Sequence, residues 1–219
     1  MQAVIFDMDG TLIDTERVSQ ASWRRAANDL GATLSEEIMH AFVGCSIPNA
    51  MQIIDAEYGD PTFTRRLFDH QRDIFMELVE SELEVKPGAV EAVRDVRERG
   101  LYAALATTSG RDYSTANMER FGLMELLCAA SFREDVEHHK PAPDVYLLTA
   151  ERLGVEPSQC VVVEDSFNGV RAGAAAGMQV VMIPDYNEPT DEIRALCADV
   201  VPSLLELPAA LDRLCEAAR

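Results

Sequence analysis

Positive charge is scarce in this 219-residue chain: 19 Lys and Arg stand against 38 Asp and Glu, for a net charge of −19. Nucleic acids and anionic membrane surfaces need a basic face, so neither is an expected partner. Long apolar runs are missing too. No window approaches the roughly 18 apolar residues of a membrane-spanning helix. The opening residues pass from Val4-Ile5-Phe6 straight into charge, which does not read as a secretory signal. The cysteines, at Cys45, Cys128, Cys160, Cys197 and Cys215, are odd in number and scattered, with no CxxC pair. That argues against a disulfide framework and a zinc site, and fits buried thiols in a reducing compartment. The expected location is the cytoplasm. No internal repeat or low-complexity segment is present.

What remains is ordinary globular material: 47 % hydrophobic and 26 % charged residues, in a length that suits one large domain or a domain with an insert. Ala3 to Phe6, Tyr102 to Ala106, Val161 to Val163 and Val180 to Ile183 are short apolar runs that read as buried strands. Cys128 to Ser131 and Ala198 to Val201 are weaker candidates. Helical stretches lie between them: Val90 to Glu98, Asp112 to Arg120, Pro143 to Leu153 and Asn168 to Ala176, each followed by a glycine close to its end. This alternation predicts an α/β fold, a Rossmann-like three-layer core around a parallel sheet. Between the first strand and Pro87 only helical spacing occurs. Residues 15–82 therefore read as an inserted α-helical cap domain, and 1–14 with 83–219 as the core.

Ligands of open parallel sheets bind beyond the carboxyl ends of the strands. The first strand is followed there by Asp7-Met8-Asp9-Gly10-Thr11, the second by Thr107-Thr108-Ser109, and the Val161–Val163 strand by Glu164-Asp165. Lys140 stands at a helix entrance in Lys140-Pro141-Ala142-Pro143-Asp144. Asp7, Asp9, Glu164 and Asp165 on one rim repel one another unless a hard, oxygen-ligated cation neutralises them, and Mg²⁺ suits a site shared with phosphate. Lys140 brings a compact positive charge. Thr107, Thr108 and Ser109 can hold phosphoryl oxygens through hydroxyls and N–H groups, or cap the helix that follows. Asp7 then reads as a nucleophile that forms an aspartyl-phosphate, and Asp9 as the acid and base beside it.

Four motifs in this order resemble the haloacid dehalogenase superfamily, in its helical-cap branch: Phe6-Asp7-Met8-Asp9-Gly10-Thr11-Leu12, Leu105-Ala106-Thr107-Thr108-Ser109, Lys140-Pro141-Ala142-Pro143-Asp144 and Val163-Glu164-Asp165-Ser166-Phe167-Asn168-Gly169. The resemblance runs from residue 4 to about 205. It implies Asp7 as nucleophile, Asp9 as acid/base, Thr107 and Lys140 on the phosphoryl group, and Asp7, Asp9, Glu164 and Asp165 around Mg²⁺. Gly10, Glu16, Gly44 and Ser46 are further candidate substrate contacts.

Within the superfamily the chain is similar to sugar phosphatases and β-phosphoglucomutases. The mutase pattern places a histidine in the first cap helix, where this chain has Val18 and Ser19, and an arginine in a cap loop that here reads Val43-Gly44-Cys45-Ser46-Ile47-Pro48-Asn49. A dehalogenase would lack Asp9. The expected activity is hydrolysis of a small phosphorylated metabolite, with a phosphosugar mutase as the alternative and a monomer or weak homodimer as the expected state.

Overall fold

The computed structural model describes residues 1–42 and 47–217. In chain order its elements are β1 (Ala3–Phe6), α1 (Thr15–Asp29), α2 (Glu36–Phe42), α3 (Ile47–Tyr58), α4 (Pro61–Glu82), α5 (Ala89–Glu98), β2 (Tyr102–Ala106), α6 (Arg111–Arg120), β3 (Ala129–Ser131), α7 (Asp144–Leu153), β4 (Cys160–Glu164), α8 (Phe167–Ala175), β5 (Gln179–Met182), α9 (Asp191–Leu196), β6 (Asp199–Val200) and α10 (Leu207–Ala217). They form two compact units, Met1–Ile13 with Val85–Arg219, and Asp14–Glu84.

The larger unit holds a six-stranded parallel sheet in the order β3-β2-β1-β4-β5-β6. The central strands lie between helical layers, and this is why they are apolar without alternation. Ala3, Val4, Ile5 and Phe6 of β1, and Val161, Val162 and Val163 of β4, are fully buried. Helix α8 comes close to the sheet because Gly173 has no side chain. A Cβ there would lie 2.9 Å from Val180 and 3.3 Å from Val162. Ser166 starts this helix by accepting from the Gly169 N–H, so α8 begins at Phe167. Helix α7 ends on Gly154, whose φ of +68° is a left-handed stop that a side chain resists.

One boundary shift matters for function. The strand expected to end at Val163 runs on to Glu164, which pairs with Met182 and whose carbonyl accepts from Ile183 N–H. Glu164 is thus a buried strand residue, not a loop acid at the rim.

The helical unit is α1 to α4. Trp23 is its aromatic centre, with ring centroids 4.7 Å from both Phe42 and Phe68. Val18, Ala26 and Ala27 of α1 are buried here, as are Leu67, Ile74 and Leu78 of α4. Helix α4 opens with Asp60, whose carboxylate accepts from Thr62 N–H and Phe63 N–H. Among the described residues of this interval the regular elements are all helices, separated by non-helical stretches at 30–35 and 59–60.

Candidate active site

Parallel strands bring the ends of β1, β2 and β4 side by side, since β1 pairs with both others. Asp7 leaves β1, and its N–H donates to the Val163 carbonyl. Thr107 leaves β2, Glu164 closes β4 and Asp165 follows it.

Lys140 is one of only two lysines in the chain, and its side chain is 5 % exposed. Its ammonium donates to Asp7 Oδ1 at 2.5 Å, Glu164 Oε1 at 2.7 Å and the Ala106 carbonyl at 3.0 Å. An ammonium has three N–H groups, so this tripod uses all of them. Burial by itself would lower the Lys140 pKa, but Asp7 and Glu164 reverse that and raise it, so the group stays charged.

Asp7, Glu164 and Asp165 each offer one oxygen, and these oxygens lie within 4.8 Å of one another. Burial pushes the carboxyls of Asp7 and Asp165 well above the usual range, and neighbouring carboxylates push them further. Lys140 opposes this at Asp7, and the Thr11 hydroxyl opposes it at Asp165 by donating to Oδ1 at 3.0 Å. An all-oxygen, electron-rich donor set under such repulsion fits a hard divalent cation.

The three carboxylates are not equivalent. Glu164 Oε1 accepts from Lys140 and from the Tyr146 hydroxyl at 2.8 Å. Its Oε2 accepts from Asp165 N–H, Ser166 N–H and Ser166 Oγ at 2.9–3.0 Å. Five donors occupy the carboxylate, leaving Asp7 and Asp165 as the members of the cluster better placed to ligate a cation. Room for Glu164 comes from Gly169, where a Cβ would lie 1.6 Å from Oε1. Gly10 plays the same part for Asp165: its φ is +80°, and a Cβ would lie 2.4 Å from Asp165 Oδ2.

Asp9 is outside this cluster. Its Oδ2 accepts from the Ser109 hydroxyl at 2.6 Å and lies 3.5 Å from Thr107 Oγ1. Thr107 Oγ1 itself accepts from Ser109 N–H at 3.0 Å, which tightens the turn. The residue that opens α6 is Gly110, without a side-chain cap, so the hydroxyls of 107–109 do not serve that helix as its cap. Thr108 is half-buried in the same turn. Of the other candidates, Glu16 stands half-buried in the first turn of α1, in the helical unit, and Gly44 and Ser46 fall outside the described residues. Tyr146 and Gly169 belong to the site although the motif residues alone do not mark them. The available signal for Tyr146 was a phenol six residues after Lys140, on a helix face otherwise made of Val145, Thr149 and Ala150.

The haloacid dehalogenase-like hydrolase family matches residues 4–183. A phosphorylated carbohydrates phosphatase of Thermotoga maritima is 33 % identical, over 82 % of this chain and 83 % of its own. A probable pseudouridine-5'-phosphatase of Drosophila melanogaster is 34 % identical over 95 % of each. The crystal structure of a putative β-phosphoglucomutase from Thermotoga maritima superposes with a TM-score of 0.78 at 29 % identity, covering 97 % of this chain and 99 % of that one. With the matched span reaching from β1 to the end of β5 and carrying every acid of the site, the chain belongs to the haloacid dehalogenase-like hydrolases.

Proposed function

We propose that the protein is a Mg²⁺-dependent phosphatase that hydrolyses a small phosphomonoester, a sugar phosphate or related metabolite, through an aspartyl-phosphate on Asp7. The observation that carries this reading is the Lys140 tripod: a charged lysine bonded to Asp7 inside a cluster of carboxylates. The curated relatives described above are named as phosphatases, one of them for phosphorylated carbohydrates.

In the first half-reaction Asp7 attacks phosphorus, the new bond forms to its carboxylate oxygen, and the bond from phosphorus to the leaving oxygen breaks. Asp9 gives its proton to that oxygen. In the second, water attacks phosphorus, its proton returns to Asp9, and the P–O bond of the Asp7 acyl phosphate breaks to release phosphate and regenerate the carboxylate. Lys140, through its charge, and the hydroxyls of Thr107 and Thr108 stabilise the phosphoryl oxygens. Asp7 and Asp165 would hold Mg²⁺, which supplies the positive charge that keeps Asp7 ionised against its carboxylate neighbours and offsets charge on the phosphoryl group.

The test is release of inorganic phosphate from a panel of phosphorylated metabolites with Mg²⁺, with Asp7→Asn as blank. Release that depends on Asp7 is expected. Interconversion of hexose phosphates primed by a bisphosphate, without net release, would replace this reading with the mutase. Silence in both assays would count against any phosphoryl-transfer role for these substrates.

A further inference from the structure

We propose that Tyr146 is a positioning residue that fixes Lys140 through Glu164; this rests on the phosphatase reading given above. Tyr146 is fully buried in α7, at 0 % exposure, yet it carries a hydroxyl. That hydroxyl donates to Glu164 Oε1, the same oxygen that receives Lys140. The ring of Tyr146 lies 4.7 Å from the Lys140 ammonium, so one side chain touches both members of the pair.

Lys140 has three donors and three acceptors, and its location is their compromise. Asp7 Oδ1 and the Ala106 carbonyl hold it at the phosphoryl site, while Glu164 holds it from behind. Oε2 of Glu164 is fixed by the backbone at Asp165 and Ser166 and by Ser166 Oγ. Oε1 is fixed by Tyr146 on one side and Lys140 on the other. Without the Tyr146 hydroxyl, a buried carboxylate oxygen loses one of its two donors, and no solvent can replace it. The remaining donor is Lys140, which is drawn toward Glu164 and away from Asp7 and Ala106. Glu164 in turn acts through Lys140 and not as a direct holder of the cation.

The first test is Tyr146→Phe, which removes the hydroxyl and keeps the ring against Lys140. The readouts are kcat and KM on the best phosphomonoester, inorganic phosphate affinity in the presence of Mg²⁺, affinity for Mg²⁺ alone by calorimetry, and the melting curve. The expected result is a fall of about tenfold or more in kcat and in phosphate affinity, with KM shifted less and Mg²⁺ affinity within about twofold of wild type. Wild-type kcat and phosphate affinity in Tyr146→Phe would overturn the proposal, whatever the melting curve does, because a structural role alone moves only the melt. A loss of Mg²⁺ affinity as large as the loss of phosphate affinity would also overturn it, by placing Glu164 on the cation. If Tyr146→Phe fails to fold, fluorotyrosine at position 146 gives the second reading: it keeps the shape and changes the donor strength of the hydroxyl on Glu164, so kcat and phosphate affinity should shift with Mg²⁺ affinity unchanged, and no shift in either would overturn the proposal. A wild-type protein inert on every phosphomonoester would remove the phosphatase reading, while the phosphate and Mg²⁺ titrations would still decide the role of Tyr146.

Discussion

The Ser109 hydroxyl donates to Asp9 Oδ2 at 2.6 Å, joining residues 100 apart in sequence. It ties the proposed acid/base to the turn proposed to bind phosphate, so the two are aligned together. Asp9→Asn is expected to slow hydrolysis of alkyl phosphates by about 10² or more and of an activated aryl phosphate much less. Ser109→Ala should show the same bias at about three- to tenfold. Equal losses on both leaving groups would speak against Asp9 as the acid.

Asp7→Asn removes the nucleophile and keeps the shape. Turnover should fall by about 10⁴ or more. Rapid quench of the wild type should trap an acid-stable, hydroxylamine-sensitive phosphoryl group that the variant never shows.

Gly169→Ala puts a methyl group where the Glu164 carboxylate already is, with a gap of 1.6 Å to Oε1. Neither group can move far, since Glu164 is held by five donors and Gly169 lies in the first turn of α8. The variant should lose about 2–3 kcal/mol of stability by denaturant titration, and whatever folds should have a lower kcat.

EDTA should silence the enzyme and Mg²⁺ restore it. A second readout avoids activity altogether. If Mg²⁺ binds the folded protein only, saturation to about a hundred times Kd adds about 2.7 kcal/mol, and the melting temperature rises with Mg²⁺ concentration. The same titration of Asp165→Asn should be nearly flat.

Asp135 gives a pH test away from the catalytic acids. A hydrogen bond from Arg152 holds its carboxyl below the usual range, helped by the Phe132 N–H and by Arg111. A depressed carboxyl stabilises the fold above its unfolded pKa of about 3.9, and that contribution is lost as pH falls through the folded value. Asp135→Asn should therefore cost about 1–2 kcal/mol at pH 7 and progressively less below about pH 4. A pH-independent difference would show that shape, not charge, is what the site uses.

Much of the architecture was legible because parallel strands buried on both faces show up as unbroken apolar runs, as at Ala3–Phe6. The nearness of Asp7, Glu164 and Asp165 was legible for a related reason: the carboxyl ends of neighbouring parallel strands lie side by side. Side-chain direction was not. Nothing near Glu164 in sequence indicates that five donors enclose it. Two of those donors, Lys140 and Tyr146, come from the segment that leads into α7 and from α7 itself, 24 and 18 residues away. The turning of Asp9 toward Ser109 depends in the same way on β1 lying beside β2, a pairing that no local pattern encodes.

The sheet order has a consequence for biosynthesis. β1 occupies the middle of the sheet, and its partners β2 and β4 begin only at Tyr102 and Cys160. A nascent chain must shelter Ala3-Val4-Ile5-Phe6 until both Tyr102–Ala106 and Cys160–Glu164 have been made, since pairing between such distant segments is slow and exposed apolar strands aggregate. Chaperone demand during translation should therefore fall sharply once Cys160–Glu164 emerges, and chains stalled before that point should be the ones that precipitate.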